Sequence, residues 1–151
     1  MAGKCNDDNS SCSLCCKLYG VAELNKPANK WCPHVHAGHG CTIYPNRPES
    51  CVDYQCLWLK SQTTDAVLSA ELKPNKSKVI FDLNGSGTLL VARVDPAYKG
   101  NINNPAVVRF MEAAMRSGII VYIICGEERR LYGSDDKALL QKIEESIRII
   151  N

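Results

Sequence analysis

Cysteine is the feature that most limits how this chain can fold. Eight of the nine cysteines fall within the first 56 residues, which indicates either a disulfide framework or a metal site. Disulfides belong to oxidising compartments, and the polar start of the chain lacks a secretory signal, so we expect a cytoplasmic protein. An odd number of cysteines would also leave one thiol unpaired in any fully bridged scheme. The sequence therefore favours metal binding over disulfides.

Charge in the cysteine-rich segment supports the same choice. Residues 1–60 carry six basic and five acidic side chains, an excess of one positive charge. Thiols that bind a metal are deprotonated, so seven thiolates would turn this excess into six negative charges. Bound cations would relieve that repulsion. Apolar residues are sparse here, and cross-linking by a metal would supply the missing core, so we expect the segment to fold together with its metal.

The two parts of the chain differ in pattern. The sequence predicts that residues 1–60 form an irregular cysteine-rich module cross-linked by metal. Residues 61–151 are predicted to form a small α+β unit packed on that module. In the second part, residues 79–83 and 88–94 are β-rich runs separated by the hairpin sequence Asn-Gly-Ser-Gly. Asn104 followed by Pro105 predicts the start of a helix that ends at Gly118.

The remaining elements of the α+β unit follow from short apolar patterns. Residues 119–125 form a continuous β-branched run typical of a buried strand, and residues 129–132 are expected to pair with it. A final helix is expected from about Ser134, with Asp135 and Asp136 in its first turn, where they suit the helix dipole. The predicted order is β-β-α-β-(β)-α, which places the whole chain in the α+β class.

The spacing of the cysteines indicates more than one metal ion. Cys12 and Cys15 form a Cys-x2-Cys turn, which brings two sulfurs to one ion. Neighbouring side chains diverge in an extended backbone, so Cys16 is not expected to share a mononuclear zinc with Cys15. The two would then serve different metals, bridge within a cluster, or include one structural thiol. The predicted ligands exceed the four of one tetrahedral zinc: Cys12, Cys15, Cys16, Cys32, Cys41, Cys51 and Cys56.

Three histidines lie in the same segment, at positions 34, 36 and 39. His34 is the leading candidate for an eighth ligand because it follows Cys32 by two residues, and eight ligands would complete two tetrahedral zincs. The alternative is that all three are surface residues of a glycine-rich turn. Cys5 lies near the terminus and is the weakest thiol candidate. Cys125 ends an apolar run and is expected to be a core thiol.

Residues 12–58 resemble a known family. The motifs are Cys12-Ser-Leu-Cys15-Cys16, Trp31-Cys32, Cys41-Thr-Ile-Tyr44-Pro-Asn-Arg47-Pro48-Glu-Ser-Cys51 and Tyr54-Gln-Cys56-Leu-Trp58-Leu59. This pattern resembles the YkgJ-like cysteine-cluster family, described as zinc- or iron-chelating domains, and the resemblance implies a metal-chelating module. Related clusters in flagellin lysine N-methylases imply iron–sulfur binding as the alternative. Asn9 stands where the family has a further cysteine, a place that Cys56 would take, and Val52 stands where it commonly has arginine.

Several neighbouring side chains are expected to support the site. Arg47 would offset the charge of a thiolate cluster and donate hydrogen bonds to sulfur, unless it is an ordinary surface arginine. Four aromatic residues are expected to shield the metal and join the two parts: Trp31, Tyr44, Tyr54 and Trp58.

The predicted function is chelation of zinc, two ions per chain, in a structural or regulatory role. An iron–sulfur protein with a redox or enzymatic role is the alternative. A third hypothesis is an adaptor whose α+β unit docks a protein partner. Near balance between 18 basic and 16 acidic side chains argues against nucleic acid, and no apolar run approaches the roughly 20 residues of a membrane span. No GxSxG, P-loop, GxGxxG or HExxH motif occurs, so hydrolytic or acyl-transfer catalysis has little support.

Overall fold

The computed structural model describes residues 12–36 and 39–150, with the backbone alone for 148–150. The predictions for Cys5 and Asn9 lie outside the described residues. The cysteine-rich part is built from short elements joined by turns. They are α1 (Cys15–Leu18), β1 (Val35–His36), β2 (Gly40–Cys41), α2 (Glu49–Asp53) and α3 (Leu57–Ser61), with 3-10 turns at Ala22–Leu24 and Tyr44–Asn46.

The second part has longer elements in the predicted order, and the α+β class is confirmed. After a 3-10 turn at Ala70–Leu72 come α4 (Pro74–Ser77), β3 (Val79–Leu83) and β4 (Leu89–Val94). A further 3-10 segment at Pro96–Asn103 precedes α5 (Pro105–Arg116), β5 (Ile120–Cys125), β6 (Glu128–Leu131) and α6 (Lys137–Ile150). None of the described helices is long and apolar enough to cross a membrane.

A four-stranded mixed sheet in the order β3-β4-β5-β6 organises this part. Strands β3 and β4 form the predicted hairpin, in which the Asn84 side-chain oxygen accepts hydrogen bonds from Thr88 N at 2.8 Å and Leu89 N at 3.0 Å. Gly87 adopts a φ of 71°, which favours glycine. Strand β5 lies parallel to β4 because α5 provides the crossover, and β6 pairs antiparallel with β5.

The two faces of the sheet are covered by different layers. One face packs on α5 and forms the largest core cluster, which includes Phe81, Val107 and Met111. The opposite face is divided between two covers. Helix α6 packs over β4, β5 and β6, whereas the cysteine-rich part packs on Ile80 of β3. Successive side chains of a strand point to opposite faces of the sheet, so Phe81 packs towards α5 whereas Ile80 packs against the cysteine-rich part.

Side-chain caps fix the starts of the two long helices. Asn104 accepts a hydrogen bond from Ala106 N at 2.9 Å, as expected from the Asn-Pro start of α5. The start predicted for α6 was early: the helix begins at Lys137, so Asp135 and Asp136 lie outside its first turn. Asp136 instead accepts a hydrogen bond from Leu139 N at 2.9 Å, because a capping carboxylate must precede the amides that it binds.

Candidate metal centre

One cavity of about 260 Å³ lies between the cysteine-rich part and strand β3. Among the residues that line it are all seven cysteines predicted as ligands: Cys12, Cys15, Cys16, Cys32, Cys41, Cys51 and Cys56. None of the eight cysteines in the described part of the chain forms a disulfide. Apolar side chains, Ile43 and Ile80 among them, complete the wall. A cavity of about 150 Å³ already holds a benzene molecule, so this one has room for more than one ion.

Short elements and backbone hydrogen bonds bring these distant cysteines together. Cys15 and Cys16 open α1, and the Cys32 amide donates to the Cys16 carbonyl oxygen at 3.1 Å. Cys51 lies in α2, whose first turn is fixed when Ser50 N and Oγ donate to the Glu23 carboxylate at 3.2 and 3.0 Å. The other three cysteines flank regular elements: Cys12 precedes α1, Cys41 ends β2, and Cys56 precedes α3.

The expected divergence of Cys15 and Cys16 is not observed. That expectation assumed an extended backbone, whereas both residues belong to helix α1. In the helix a hydrogen bond from the Cys15 thiol helps to lower the pKa of Cys16. The two adjacent sulfurs are therefore able to serve one ion, and sequence adjacency does not assign them to separate sites.

Burial and nearby charges shift the pKa values of the thiols in opposite directions. A hydrogen bond from Cys15, assisted by the charges of Lys26 and Arg47, outweighs burial and lowers the pKa of Cys16 to about 7. Burial raises the pKa of four other thiols: Cys12, Cys41, Cys51 and Cys56. Cys16 therefore ionises more readily than these four thiols, which need a bound cation to favour their thiolate forms.

Lys26 is a buried cation beside the cavity that the sequence reasoning missed. Its side chain is only 5% exposed, and its Nζ donates to the carbonyl oxygens of Lys17, at 2.9 Å, and Tyr19. Burial lowers the pKa of its amine, while the charges of nearby thiolates oppose that shift. Within the described residues no carboxylate pairs with Lys26. No sequence motif marks this lysine, because it lies in a loop between unremarkable residues.

Arg47 lines the cavity, as expected of a residue that supports a thiolate cluster. Its guanidinium carbon lies 3.7 Å from the centroid of the Tyr44 ring, so the cation stacks on the aromatic face. The buried Nε of Arg47 has no hydrogen-bond partner among the described residues. A fixed cation with an unused N–H is suited to donate a hydrogen bond to an anion such as a thiolate.

Two tyrosines connect the cavity wall to the sheet. Tyr54 donates to both carboxylate oxygens of Asp82, at 3.0 and 3.1 Å, and Tyr19 also donates to Asp82. The Arg93 guanidinium carbon lies 4.5 Å from the Tyr19 ring centroid. Burial raises the pKa of both phenols, so both remain protonated donors. A polar Asp82 within the apolar run of β3 was the available sequence signal for this network.

The other predicted residues lie outside the cavity lining. His34, partly exposed, is not among the lining residues, and its ligand role stays a prediction. Trp31 is 53% exposed, which disagrees with its expected shielding role. Trp58 packs against both the cysteine-rich cluster and the main sheet core, so it joins the two parts as expected. Cys125 is a core thiol at 7% exposure, also as expected.

The side chains that line the cavity are of the chemical type that binds a thiophilic metal, although the structure does not bring their sulfurs close to one point. Seven sulfurs, two cations and no lining carboxylate suit zinc or iron in a thiolate-rich site. In residues 12–36 and 39–150, no three histidine, cysteine or acidic side chains lie close enough together to hold one ion. Metal binding would therefore require cysteine side chains to turn from the wall into the cavity.

No protein-family model, curated protein or solved structure matches this chain. The resemblance of residues 12–58 to the YkgJ-like cysteine-cluster family therefore stays a prediction. What supports a function is the cavity itself, with its cysteine thiols, its two nearby cations and its polar connection to the sheet.

Proposed function

We propose that this protein binds metal ions through cysteine thiolates, with two zinc ions per chain in a structural or regulatory role. The observation that carries the proposal is the collection of seven cysteines from separate short elements around one cavity. Cysteines used only for packing would have no reason to gather at one place. Thiolate ligands favour zinc, and zinc sites of this kind contribute directly to folding.

A folding role is consistent with the construction of the cysteine-rich part. Its apolar cluster is small: Leu14, Leu18, Cys56, Leu59 and Ile80. Ile80 belongs to strand β3, so one of the five residues of this cluster is supplied by the sheet. A segment with so little core of its own gains stability from metal cross-links, which are absent from the unfolded chain.

The size of the cavity favours a second candidate, an iron–sulfur cluster with a redox or enzymatic role. Zinc ions alone need little space, whereas a cluster adds inorganic sulfide to the metal ions. The cavity of about 260 Å³ provides that space, and four of its seven thiols would suffice to hold a cluster. The apolar wall would limit access of water, which is one of the factors that set a cluster's reduction potential.

Location and partners complete the proposal. A reducing cytoplasm would keep the thiols free to bind metal. The α+β unit would dock a protein partner if the metal module has a regulatory role. Nucleic acid and membrane partners are not proposed, because the net charge of the chain is only +2 and no described helix suits a membrane.

The test is elemental analysis of protein purified without oxygen, together with acid-labile sulfide and the visible spectrum. About two zincs per chain and a colourless solution are expected. Iron with matching sulfide and absorption near 400 nm would replace the zinc proposal by the iron–sulfur one. Protein that contains neither metal, and takes up neither after anaerobic incubation with zinc or with iron and sulfide, would overturn metal binding.

A matched pair of variants assigns the metal to the cavity. Cys32→Ser and Cys125→Ser remove one thiol each, and both thiols are buried, at 9% and 7% exposure. Only Cys32 lines the cysteine-rich cavity. We expect loss of metal from the Cys32 variant and full metal content in the Cys125 variant. Equal metal content in the two variants would contradict the assignment.

A further inference from the structure

The end of α1 is held by the chain that follows it, and Lys26 supplies two of the contacts. A helix of only four residues is too short to be stable alone, so its last carbonyl groups depend on donors from outside the helix. The Lys26 ammonium group donates to the carbonyl oxygens of Lys17, at 2.9 Å, and Tyr19. Backbone amides satisfy two neighbouring carbonyls: that of Cys16 accepts from Cys32 N at 3.1 Å, and that of Leu18 from Asn29 N at 3.3 Å.

A tight turn brings Lys26 back to α1. Val21 and Lys26 pair through two backbone hydrogen bonds, of 2.9 and 3.0 Å. Between them lie the 3-10 turn at Ala22–Leu24 and Asn25, whose φ of 49° is left-handed, a conformation that asparagine tolerates better than most residues. These backbone contacts close the turn without the Lys26 side chain. A substitution of that side chain should therefore leave the turn in place.

The burial of Lys26 indicates a negative charge nearby. Lys26 is only 5% exposed, and a buried ammonium group is costly without a counter-charge. Among the described residues no carboxylate forms an ion pair with it. The turn that carries Lys26 borders the cavity through Val21 and Leu24. A thiolate-rich metal site in that cavity would supply the counter-charge.

We propose that Lys26 is a positioning residue of the metal site, an inference that rests on the proposed metal binding. Cys15 and Cys16 belong to α1 and line the cavity, so the helix determines where their sulfurs lie. Lys26 holds the end of this helix through the peptide groups of Lys17 and Tyr19. Without these contacts α1 is less often formed, and metal binding must also order the two cysteines.

Metal affinity in two lysine variants tests the proposal. Lys26→Met and Lys30→Met each remove one cation from the same segment, but Lys30 is exposed. The full-length protein, purified without oxygen and without metal, is titrated with Co²⁺ in competition with a chromophoric chelator. We expect Lys26→Met to bind Co²⁺ about tenfold more weakly, the lower end of the effect of residues that orient metal ligands, because Lys26 acts through the backbone. Lys30→Met should keep the affinity of the unmodified protein.

A third variant separates positioning from a general loss of stability. Ser61→Ala, in α3, removes the Oγ that accepts a hydrogen bond from Leu68 N at 3.0 Å, so it destabilises the chain away from α1. Urea denaturation measures the stability of each variant. We expect Ser61→Ala to lower the midpoint and to leave the Co²⁺ affinity unchanged. Affinities that fall in proportion to stability in both Ser61→Ala and Lys26→Met would overturn the positioning role.

The unmodified protein provides a second test, which holds even if Lys26→Met does not fold. Coupling between two equilibria is reciprocal, so metal must favour the contact of Lys26 by the same factor by which that contact favours metal. Acetylation of each lysine is measured by mass spectrometry with and without Zn²⁺. We expect Zn²⁺ to slow acetylation of Lys26 about tenfold and to leave that of Lys30 unchanged. An acetylation rate of Lys26 that does not respond to Zn²⁺ would overturn the inference.

Failure of this inference is distinguishable from failure of the proposed function. Equal Co²⁺ affinity in the Lys26 and Lys30 variants would remove the role of Lys26 and leave metal binding intact. An unmodified protein that binds neither Co²⁺ nor Zn²⁺ would contradict the proposed function itself.

Discussion

A buried ion pair joins the cysteine-rich part to the sheet, and its removal is expected to destabilise the protein strongly. Lys17 Nζ, in α1, lies 2.7 and 2.9 Å from the two carboxylate oxygens of Asp95, at the end of β4. The side chains are 15% and 2% exposed. In Lys17→Met the Asp95 carboxylate keeps its hydrogen bond from Ala97 N but loses its counter-ion.

The size of the effect follows from burial. Removal of one partner of a buried ion pair costs about 3–5 kcal/mol, and the partial exposure of Lys17 places the expected loss near the lower end. For a chain of this length, 1 kcal/mol corresponds to about 2–4 °C in melting temperature, so about 3 kcal/mol predicts a decrease of roughly 6–12 °C. The free energy of unfolding is measured by urea denaturation, followed by circular dichroism and by tryptophan fluorescence.

A surface pair provides the control for this experiment. Lys99 and Glu128 make an ion pair of similar length, 2.8 Å, but their side chains are 59% and 65% exposed. Lys99→Met should leave the denaturation midpoint unchanged, because solvent screens an exposed pair. The double variant Lys17→Met/Asp95→Asn should be less destabilised than the sum of the single changes. A Lys17 variant as stable as the Lys99 variant would refute the reasoning.

Three further predictions concern the metal and the wall of its cavity. Treatment with a strong chelator should expose the cavity thiols to a thiol reagent and reduce the helical circular dichroism signal. The α+β unit should remain folded. Unchanged thiol reactivity would contradict this prediction. Metal affinity should increase with pH, because protons compete with metal for the thiols and burial raises the pKa of Cys12, Cys41, Cys51 and Cys56. The affinity is measured at several pH values by competition with a chromophoric chelator. An affinity that does not change with pH would count against thiolate ligands. Tyr54→Phe removes hydrogen bonds to the Asp82 carboxylate and should lower the free energy of unfolding, measured by urea denaturation, by about 2 kcal/mol. The control is Tyr98→Phe, which should have little effect because the Tyr98 ring is exposed.

Local sequence signals were sufficient to predict most of the α+β unit. The hairpin could be predicted because Asn84 and Gly87 satisfy the turn between two β-rich runs without help from distant residues. Helix α5 could be predicted because Asn104 and Pro105 suit a helix start in any context. The start of α6 was less certain, since an aspartate before a helix and an aspartate inside its first turn give the same sequence signal.

The seven cavity cysteines were predictable as a set because residue type and proximity in sequence identify them. Their arrangement was not, because it depends on backbone conformation: Cys15 and Cys16 approach each other only because α1 is helical. Lys26 and Asp82 were missed for a different reason. No local pattern marks the buried Lys26. Asp82 does interrupt an apolar run, but its two phenol partners are set by tertiary packing that the sequence does not show.

The division of one sheet face between two covers would connect the proposed metal binding to the sheet. Strand β3 contributes Phe81 to the core under α5 and Ile80 to the core of the cysteine-rich part. Asp82, on the same face as Ile80, binds the two phenols of the cavity wall. Movement of the cysteine-rich part therefore changes the cover of β3, and it reaches the α5 core through Leu57 and Trp58, which pack against that core. Since most of the α5 core lies outside the cysteine-rich part, metal-dependent order in that part would leave the α+β unit folded, as the proposed regulatory role would require.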